Sequence, residues 1–412
     1  MDLIGPANEA KENHPMSKLN ILVSGASIAG LTAAHWLSRY GFNVTIVERA
    51  PHLRPGGQAL DLRGAAALSV AEQMGLLTKL RELSTKFTGM SVVNAKGQEI
   101  FRSTGQTLTG GRFDSADVEI MRDHLVQVLY EAAGDRVEYL FNDSITRLDQ
   151  DETGVDVAFV NAPPRRFDLV IGADGVRSNV RRIAFGPDER FLHYLGAYIS
   201  LFSAPNFLGL DHWQVFCQDE TALGALLVQQ RDAPARVYLG FHAAEPADYD
   251  YRDSADQKRL MAERVGDKGW EFPRLLAHMQ DAPDFYFDSI NQVRMDSWSQ
   301  GRVVLLGDAG YAVSVTTGQG TAVAMIAAYV LAGELATHRG QPLLAFQSYE
   351  RELRDYVQRT QELAGDINLP ELAPSEDAAD GPDQVIDPDS VPDYGDHTIP
   401  FDLRDYRGAL GD

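Results

Sequence analysis

One cysteine, Cys217, is all the chain has in 412 residues, so no internal disulfide can form and a reducing cytosol fits. As a residue it reads as a small buried hydrophobe, far from the glycine motifs described below. No uninterrupted apolar run approaches the roughly 18 to 20 residues of a membrane span. The opening MDLIGPANEAKENHP lacks the apolar core of a secretion signal, and Met16 reads as the native start, with residues 1–16 an extension. Basic residues are scarce, 37 against 59 acids for a net charge of −22, which argues against nucleic acid and anionic membranes as partners. The ten histidines show no ligand spacing, and neither a Ser-His-Asp pattern nor a phosphate loop of the P-loop kind is present. No metal is expected.

Half of the net charge is concentrated at the end. Asp366 to Asp412 carries thirteen acids against Arg404 and Arg407. This stretch, rich in Pro and Asp, reads as a solvated acidic tail over 365–412, the alternatives being a flap over a substrate or a dimer contact. Phe401, Leu403 and Tyr406 are the residues able to pin its end to the body.

Against those absences stand three glycine-containing motifs. In the first, the apolar run Leu19 to Ser24 predicts a buried parallel strand, and GASIAG at Gly25 to Gly30 follows directly. A helix fits Ile28 to Tyr40, and a second strand, Val44 to Glu48, ends on an acid 18 residues beyond Gly30. This is a βαβ crossover for a nucleotide, with Gly25 permitting the tight turn and Gly30 the close approach of helix and strand. N–H groups at Ser27, Ile28 and Ala29 open the helix toward a pyrophosphate, and Glu48, followed by Arg49, suits ribose hydroxyls. Ser27 stands where the usual pattern has its middle glycine. A strand-to-helix turn with no ligand is the competing reading.

The second motif begins 282 residues beyond Gly25. Arg302 to Leu306 predicts a strand ending at Gly307-Asp308-Ala309, and Gly318-Gln319-Gly320 opens a long Ala-rich helix over Thr321 to His338. Asp308 suits a polyol hydroxyl, while the helix start, including Thr321 and Ala322, suits a ring that gains negative charge. A purely structural turn is again the alternative. The third motif, Asp168 to Arg181 (DLVIGADGVRSNVR), runs a strand over Leu169 to Gly172 into Asp174-Gly175, and charge alone places Arg177, Arg181 and Arg182 on a solvated helix face.

In that order, GASIAG with Glu48, DLVIGADGVRSNVR and GDAG…GQG resemble the three signatures of the FAD-dependent aromatic hydroxylases related to para-hydroxybenzoate hydroxylase, over roughly 17–364. The resemblance implies an α/β fold: a Rossmann-like FAD-binding domain of the glutathione-reductase type, an inserted, mostly antiparallel β-sheet substrate domain, and a C-terminal helix and tail. It implies non-covalent FAD, NADPH or NADH as co-substrate, and O₂. The expected activity is hydroxylation of an aromatic or polycyclic polyketide-type molecule through a C4a-hydroperoxyflavin, with the flavin itself as the catalytic group. It places Arg122, in an R-x-x-L-x-x-x-L setting with Leu125 and Leu129, on the ribose and pyrophosphate, and assigns Asp174 and Gly175 to both FAD and the nicotinamide cofactor. Gly56 to Gly64 (GGQALDLRG) is similar to the segment near the flavin in the branch containing tetracycline-inactivating monooxygenases, which places Gln58, Asp61 and Arg63 there.

Two departures stand out. Between GDA and GQG the family often carries a histidine and prolines, whereas this chain has a proline-free loop, Tyr311 to Thr317, and Ala322 replaces a frequent Asn. The expected FAD-binding domain comprises 17–85, 105–187 and 275–364; the sheet domain comprises 86–104 and 188–274. Alternation along Arg236 to His242 separates Val237, Leu239 and Phe241 from Tyr238, Gly240 and His242. Gln229, Tyr238 and His242 are therefore candidate substrate contacts, ordinary sheet surface being the competing reading. A flavin-dependent halogenase is disfavoured, because Gly269 to Pro273 holds a single tryptophan of the motif such enzymes need. A flavin dehydrogenase without oxygen insertion and a non-catalytic FAD-binding redox protein remain as alternatives, and the chain is expected to be a cytoplasmic monomer or homodimer.

Overall fold

A computed structural model describes residues 18–218, 221–266, 268–366 and 398–409. The proposed extension and most of the acidic tail lie outside these residues. The first layer is a six-stranded sheet in the order Ser299–Gln300, Val303–Leu305, Leu169–Gly172, Asn20–Ser24, Asn43–Glu48 and Val137–Phe141, parallel except at its first pair. The pleat decides its two faces. Ile21 and Val23 pack among the helices Ile28–Arg39, Arg122–Ala133 and Gly320–Thr337, while Leu22 faces the antiparallel meander Ile145–Gln150, Val155–Phe159 and Arg165–Phe167.

The second layer is a seven-stranded sheet in the order Tyr286–Val293, Leu192–Ala204, Ala235–His242, Ala222–Val228, Trp213–Gln218, Gly89–Val93 and Glu99–Ser103, antiparallel except where Trp213–Gln218 meets Gly89–Val93. It includes Tyr286–Val293, beyond residue 274. Along Ala235–His242, Val237, Leu239 and Phe241 pack on the helices Ser254–Val265 and Phe272–Asp281, as alternation predicts. The opposite face carries Arg236 and Tyr238 and turns toward the short sheet formed by Ala59–Leu62 and Val118–Met121. A cleft between the layers results.

The Gly320–Thr337 helix is the most apolar long helix among the described residues. By length and a mean hydropathy of 1.5 it matches a membrane span, although Glu334 interrupts its apolar run; 89% of it is buried inside the protein. It packs along Ile28–Arg39, Ala65–Gln73 and Pro342–Asp366. The remaining side is covered by residues 398–409, where Phe401 and Leu403 pack on the core and Tyr406 is buried.

Candidate functional site

The cleft is floored by the C-terminal ends of three adjacent parallel strands, the place where open α/β sheets bind ligands. At the end of Asn20–Ser24 the chain turns at Gly25 with φ 108°, a backbone that favours glycine, and its N–H donates to Val47 O. The Glu48 carboxylate accepts from Ala26 N and Ala50 N, each at 2.8 Å, which fixes it at the mouth of the turn. Arg49 is exposed beside it. Ser27, Ile28 and Ala29 begin the helix, where first-turn N–H groups lack intrahelical partners.

Arg122, the first residue of its helix, reaches the same turn. Its guanidinium donates to Ser27 Oγ at 3.4 Å and Arg54 O at 3.2 Å. Among the described residues it has no carboxylate within ion-pair distance. Burial and then the nearby Arg54 charge pull its pKa down to about 10, so the site is short of negative charge. The Arg122 backbone N–H donates to Gln58 O, which ties the GGQ segment to this helix.

The two glycine motifs meet in space. A Cβ placed on Gly307 would lie 3.1 Å from the Ala29 Cβ, so turns 282 residues apart in the chain share one groove. Asp308 begins the short helix Asp308–Tyr311 and opens on the cleft. Its carboxylate accepts no hydrogen bond among the described residues. Although its surface is reachable from the cleft, the surrounding protein desolvates it and pushes its carboxyl up to about 6. Gly318 is left-handed at φ 63°, Gln319 caps the long helix, and the N–H groups of Gly320, Thr321 and Ala322 form its unsatisfied first turn.

Asp174 is placed differently. Its carboxylate accepts from Asn179 N and Val180 N at 2.8 and 3.1 Å and from Ser178 Oγ, so it caps the Asn179–Ala184 helix, with Gly175 at φ 80° beyond it. Arg181, which charge alone put on a solvated face, is fully buried. It pairs with Asp188 at 2.5 Å and donates to Ala309 O at 2.9 Å, bolting the third motif to the second. A buried cationic side chain beside a glycine turn has no periodic signature, which is why sequence reading missed it.

Asp61 and Arg63 form a buried ion pair at 2.9 Å, and a Cβ on Gly318 would lie 3.4 Å from the Arg63 guanidinium carbon. The structure adds Glu119, which accepts from Thr85 Oγ1 and Thr109 Oγ1. Burial pushes both carboxyls upward and Arg63 opposes it, while Asp61 Oδ1 has no hydrogen-bond partner among the described residues. Tyr238 accepts from Ala59 N at 2.8 Å and joins this cluster; burial raises its phenol, so the hydroxyl stays protonated. His242 shares its sheet face and is exposed, whereas Gln229 lies just past the end of the Ala222–Val228 strand and is half-buried. The structure does not bring these three together.

The proline-free loop is stiffened another way. Ser314 holds φ 89°, its hydroxyl accepts from Thr316 N, and Thr317 Oγ1 donates to Ser314 O. Tyr311 points away from the cleft, its ring 4.3 Å from Trp298 and its hydroxyl 2.5 Å from that of Tyr349.

Known proteins resemble this chain over most of its length. The FAD binding domain family matches residues 18–364. An uncharacterized protein of Mycobacterium tuberculosis is 48% identical over 86% of this chain and 94% of its own length. A flavin-dependent monooxygenase of Legionella longbeachae is 39% identical over 84% of this chain and 88% of its own. Among solved structures, the tetracycline destructase Tet(51) superposes with a TM-score of 0.78 at 37% identity, covering 84% of this chain and 90% of that one. The cofactor is FAD, and the chain belongs to the FAD-binding family of flavin-dependent monooxygenases.

Proposed function

We propose that this enzyme uses NADPH or NADH and O₂ to insert one oxygen atom into a small aromatic or polycyclic polyketide-type molecule. The observation that carries the reading is Asp308, a carboxylate with no hydrogen-bond donor among the described residues, at the Gly307 turn that abuts Ala29, next to the Ser27 turn reached by the Arg122 guanidinium, which has no carboxylate within ion-pair distance among those residues. One is an acceptor without donors and the other a cation without an anion, and a ligand with polyol and pyrophosphate groups answers both.

The residues present fit FAD. Glu48 would accept from ribose hydroxyls, Arg122 would pair with the pyrophosphate, and Asp308 would accept from the ribitol chain. The Gly320 to Ala322 N–H groups, at the positive end of an 18-residue helix, would hold the end of the ring that gains negative charge on reduction and so favour the reduced form. When bound, FAD supplies the redox chemistry that activates O₂ for transfer. The chain's own tasks are to orient substrate over the ring and to exclude water.

Across the cleft, Ile199, Leu223 and Tyr286 offer an apolar surface beside Gly240, with Tyr238 available as a hydroxyl donor. Such a floor suits a flat ring system, and the tetracycline destructase neighbours favour a polycyclic one. His242 stands at the open end, where it meets the more polar part of a substrate; Gln229 is the weaker contact. The buried single cysteine is in keeping with a cytoplasmic enzyme, monomeric or dimeric.

The test is a panel of phenols and polyketides screened for stimulated NADPH and NADH oxidation, with mass spectrometry of the product. A product heavier by one oxygen atom is expected. Cofactor oxidation that yields only hydrogen peroxide with every compound would refute oxygen insertion and leave an oxidase or dehydrogenase.

A further inference from the structure

The family match ends at residue 364, yet residues 398–409 are ordered against the body and touch the cleft. Ten residues of extended chain reach about 33 Å, enough to follow the Gly320–Thr337 helix, whose 18 residues span about 27 Å. The contacts trace that path. At its far end the Arg339 guanidinium lies within 3.5 Å of Ala409 O. In the middle, Arg404 and the Tyr406 hydroxyl donate to the buried Glu334 carboxylate at 2.9 and 2.7 Å, and the Tyr406 ring occupies the space a side chain on Gly333 would need. Phe401 packs on Tyr356 with ring centroids 5.0 Å apart.

The near end of this strap falls on the candidate site. Ile399 N donates to Gln319 Oε1 at 3.3 Å, and Gln319 is the buried cap of the helix start. Thr398 lies over Gly64: a Cβ there would come within 2.7 Å of the Thr398 Cγ2. Gly64 follows Arg63, whose guanidinium abuts Gly318, the residue before Gln319. The contacts therefore close a ring: Gln319 to Ile399, Thr398 to Gly64, Arg63 to Gly318. Two turns more than 250 residues apart in sequence are held at a fixed spacing by two residues of the C-terminal strap.

We infer that Thr398 and Ile399 are positioning residues for the ring end of the cofactor, setting the gap between the Arg63-Gly64 and Gly318-Gln319 turns. The inference rests on the placement of that ring proposed above. The strap acts through Gln319 and Gly64 and touches no reacting atom. Its middle anchors serve a separate purpose, the burial of Glu334 and the apolar helix, and the two roles are separable by substitution.

Ile399→Pro removes the N–H donor and leaves the Phe401 to Tyr406 anchors in place. Loss of one neutral hydrogen bond of about 1 kcal/mol corresponds to about fivefold weaker FAD binding. Flavin-fluorescence titration of the apoprotein reads that change, the visible spectrum of bound flavin reads altered ring surroundings, and thermal unfolding reads stability. Arg404→Gln is the contrasting variant: it lowers the unfolding temperature and leaves FAD affinity within twofold of wild type. Thr398→Gly, which removes the methyl group over Gly64 along with the rest of the side chain, weakens FAD about twofold and serves if proline at 399 prevents folding. Wild-type affinity and spectrum in the Ile399 and Thr398 variants overturn the inference, as does an equal affinity loss in Arg404→Gln. A wild-type chain that takes up no FAD refutes the site assignment itself, which is a different failure.

Discussion

Replacing Asp308 with asparagine should move stability and cofactor binding in opposite directions. In the FAD-free protein the Asp308 carboxyl has a pKa near 6, against 3.8 when unfolded, because protein on the cleft wall desolvates its charge. A raised acid pKa means the folded state holds the proton more tightly, so this group destabilises the fold progressively as pH rises from about 4 to above 6. Complete desolvation would convert the shift to about 3 kcal/mol. The side chain is open to cleft water, and screening reduces the cost to about 1 kcal/mol. The carboxamide keeps the shape and carries no charge, so the apoprotein variant should unfold about 2 °C higher than wild type at pH 8 and at the same temperature near pH 4. With FAD present the order reverses, since the amide is the poorer acceptor for a ribitol hydroxyl, and affinity should fall about tenfold. Calorimetry of both apoproteins across that pH range, with FAD titrations in parallel, checks both arms. Identical apoprotein stability at pH 8 would refute the desolvation argument, and unchanged FAD affinity would refute the ribitol contact.

Glu48→Gln should weaken FAD by about tenfold without changing the bound flavin's spectrum, because the proposed placement puts Glu48, held by Ala26 N and Ala50 N, at the adenosine end and away from the ring; a shifted spectrum would argue against that placement. Arg122→Lys should lose the planar fork, costing about tenfold in FAD affinity, and Arg122→Ala about a hundredfold, as read by equilibrium dialysis. Ser314→Pro, which forces φ near −65° where the chain holds 89°, should destabilise the loop by about 3 kcal/mol, visible as a lower denaturation midpoint.

What could be read in the sequence was local. The first motif is a strand, a turn, a helix and a second strand in one run of chain, so period and glycine placement suffice, and Glu48 does lie beside the Gly25 turn. The alternation of Arg236 to His242 likewise separates the helix-packed face from the cleft face. The remainder depends on long-range meetings. Glu119 enters the Asp61 and Arg63 cluster from a separate strand, with Thr109 from a preceding loop, and no spacing rule links them. Arg181 resembles any surface base until the chain folds it onto Ala309 O. The second sheet gains Tyr286–Val293 only because that strand pairs with Leu192–Ala204, which composition cannot show.

The Gly320–Thr337 helix and the strap over it carry a consequence for synthesis. A helix with the composition of a membrane span leaves the ribosome well before residues 398–409 exist to cover it. Until residues 398–409 are translated, Glu334 lacks Arg404 and Tyr406, and one side of the helix lacks its cover. The nascent chain is thus prone to aggregate through this helix until residues 398–409 emerge to cover it.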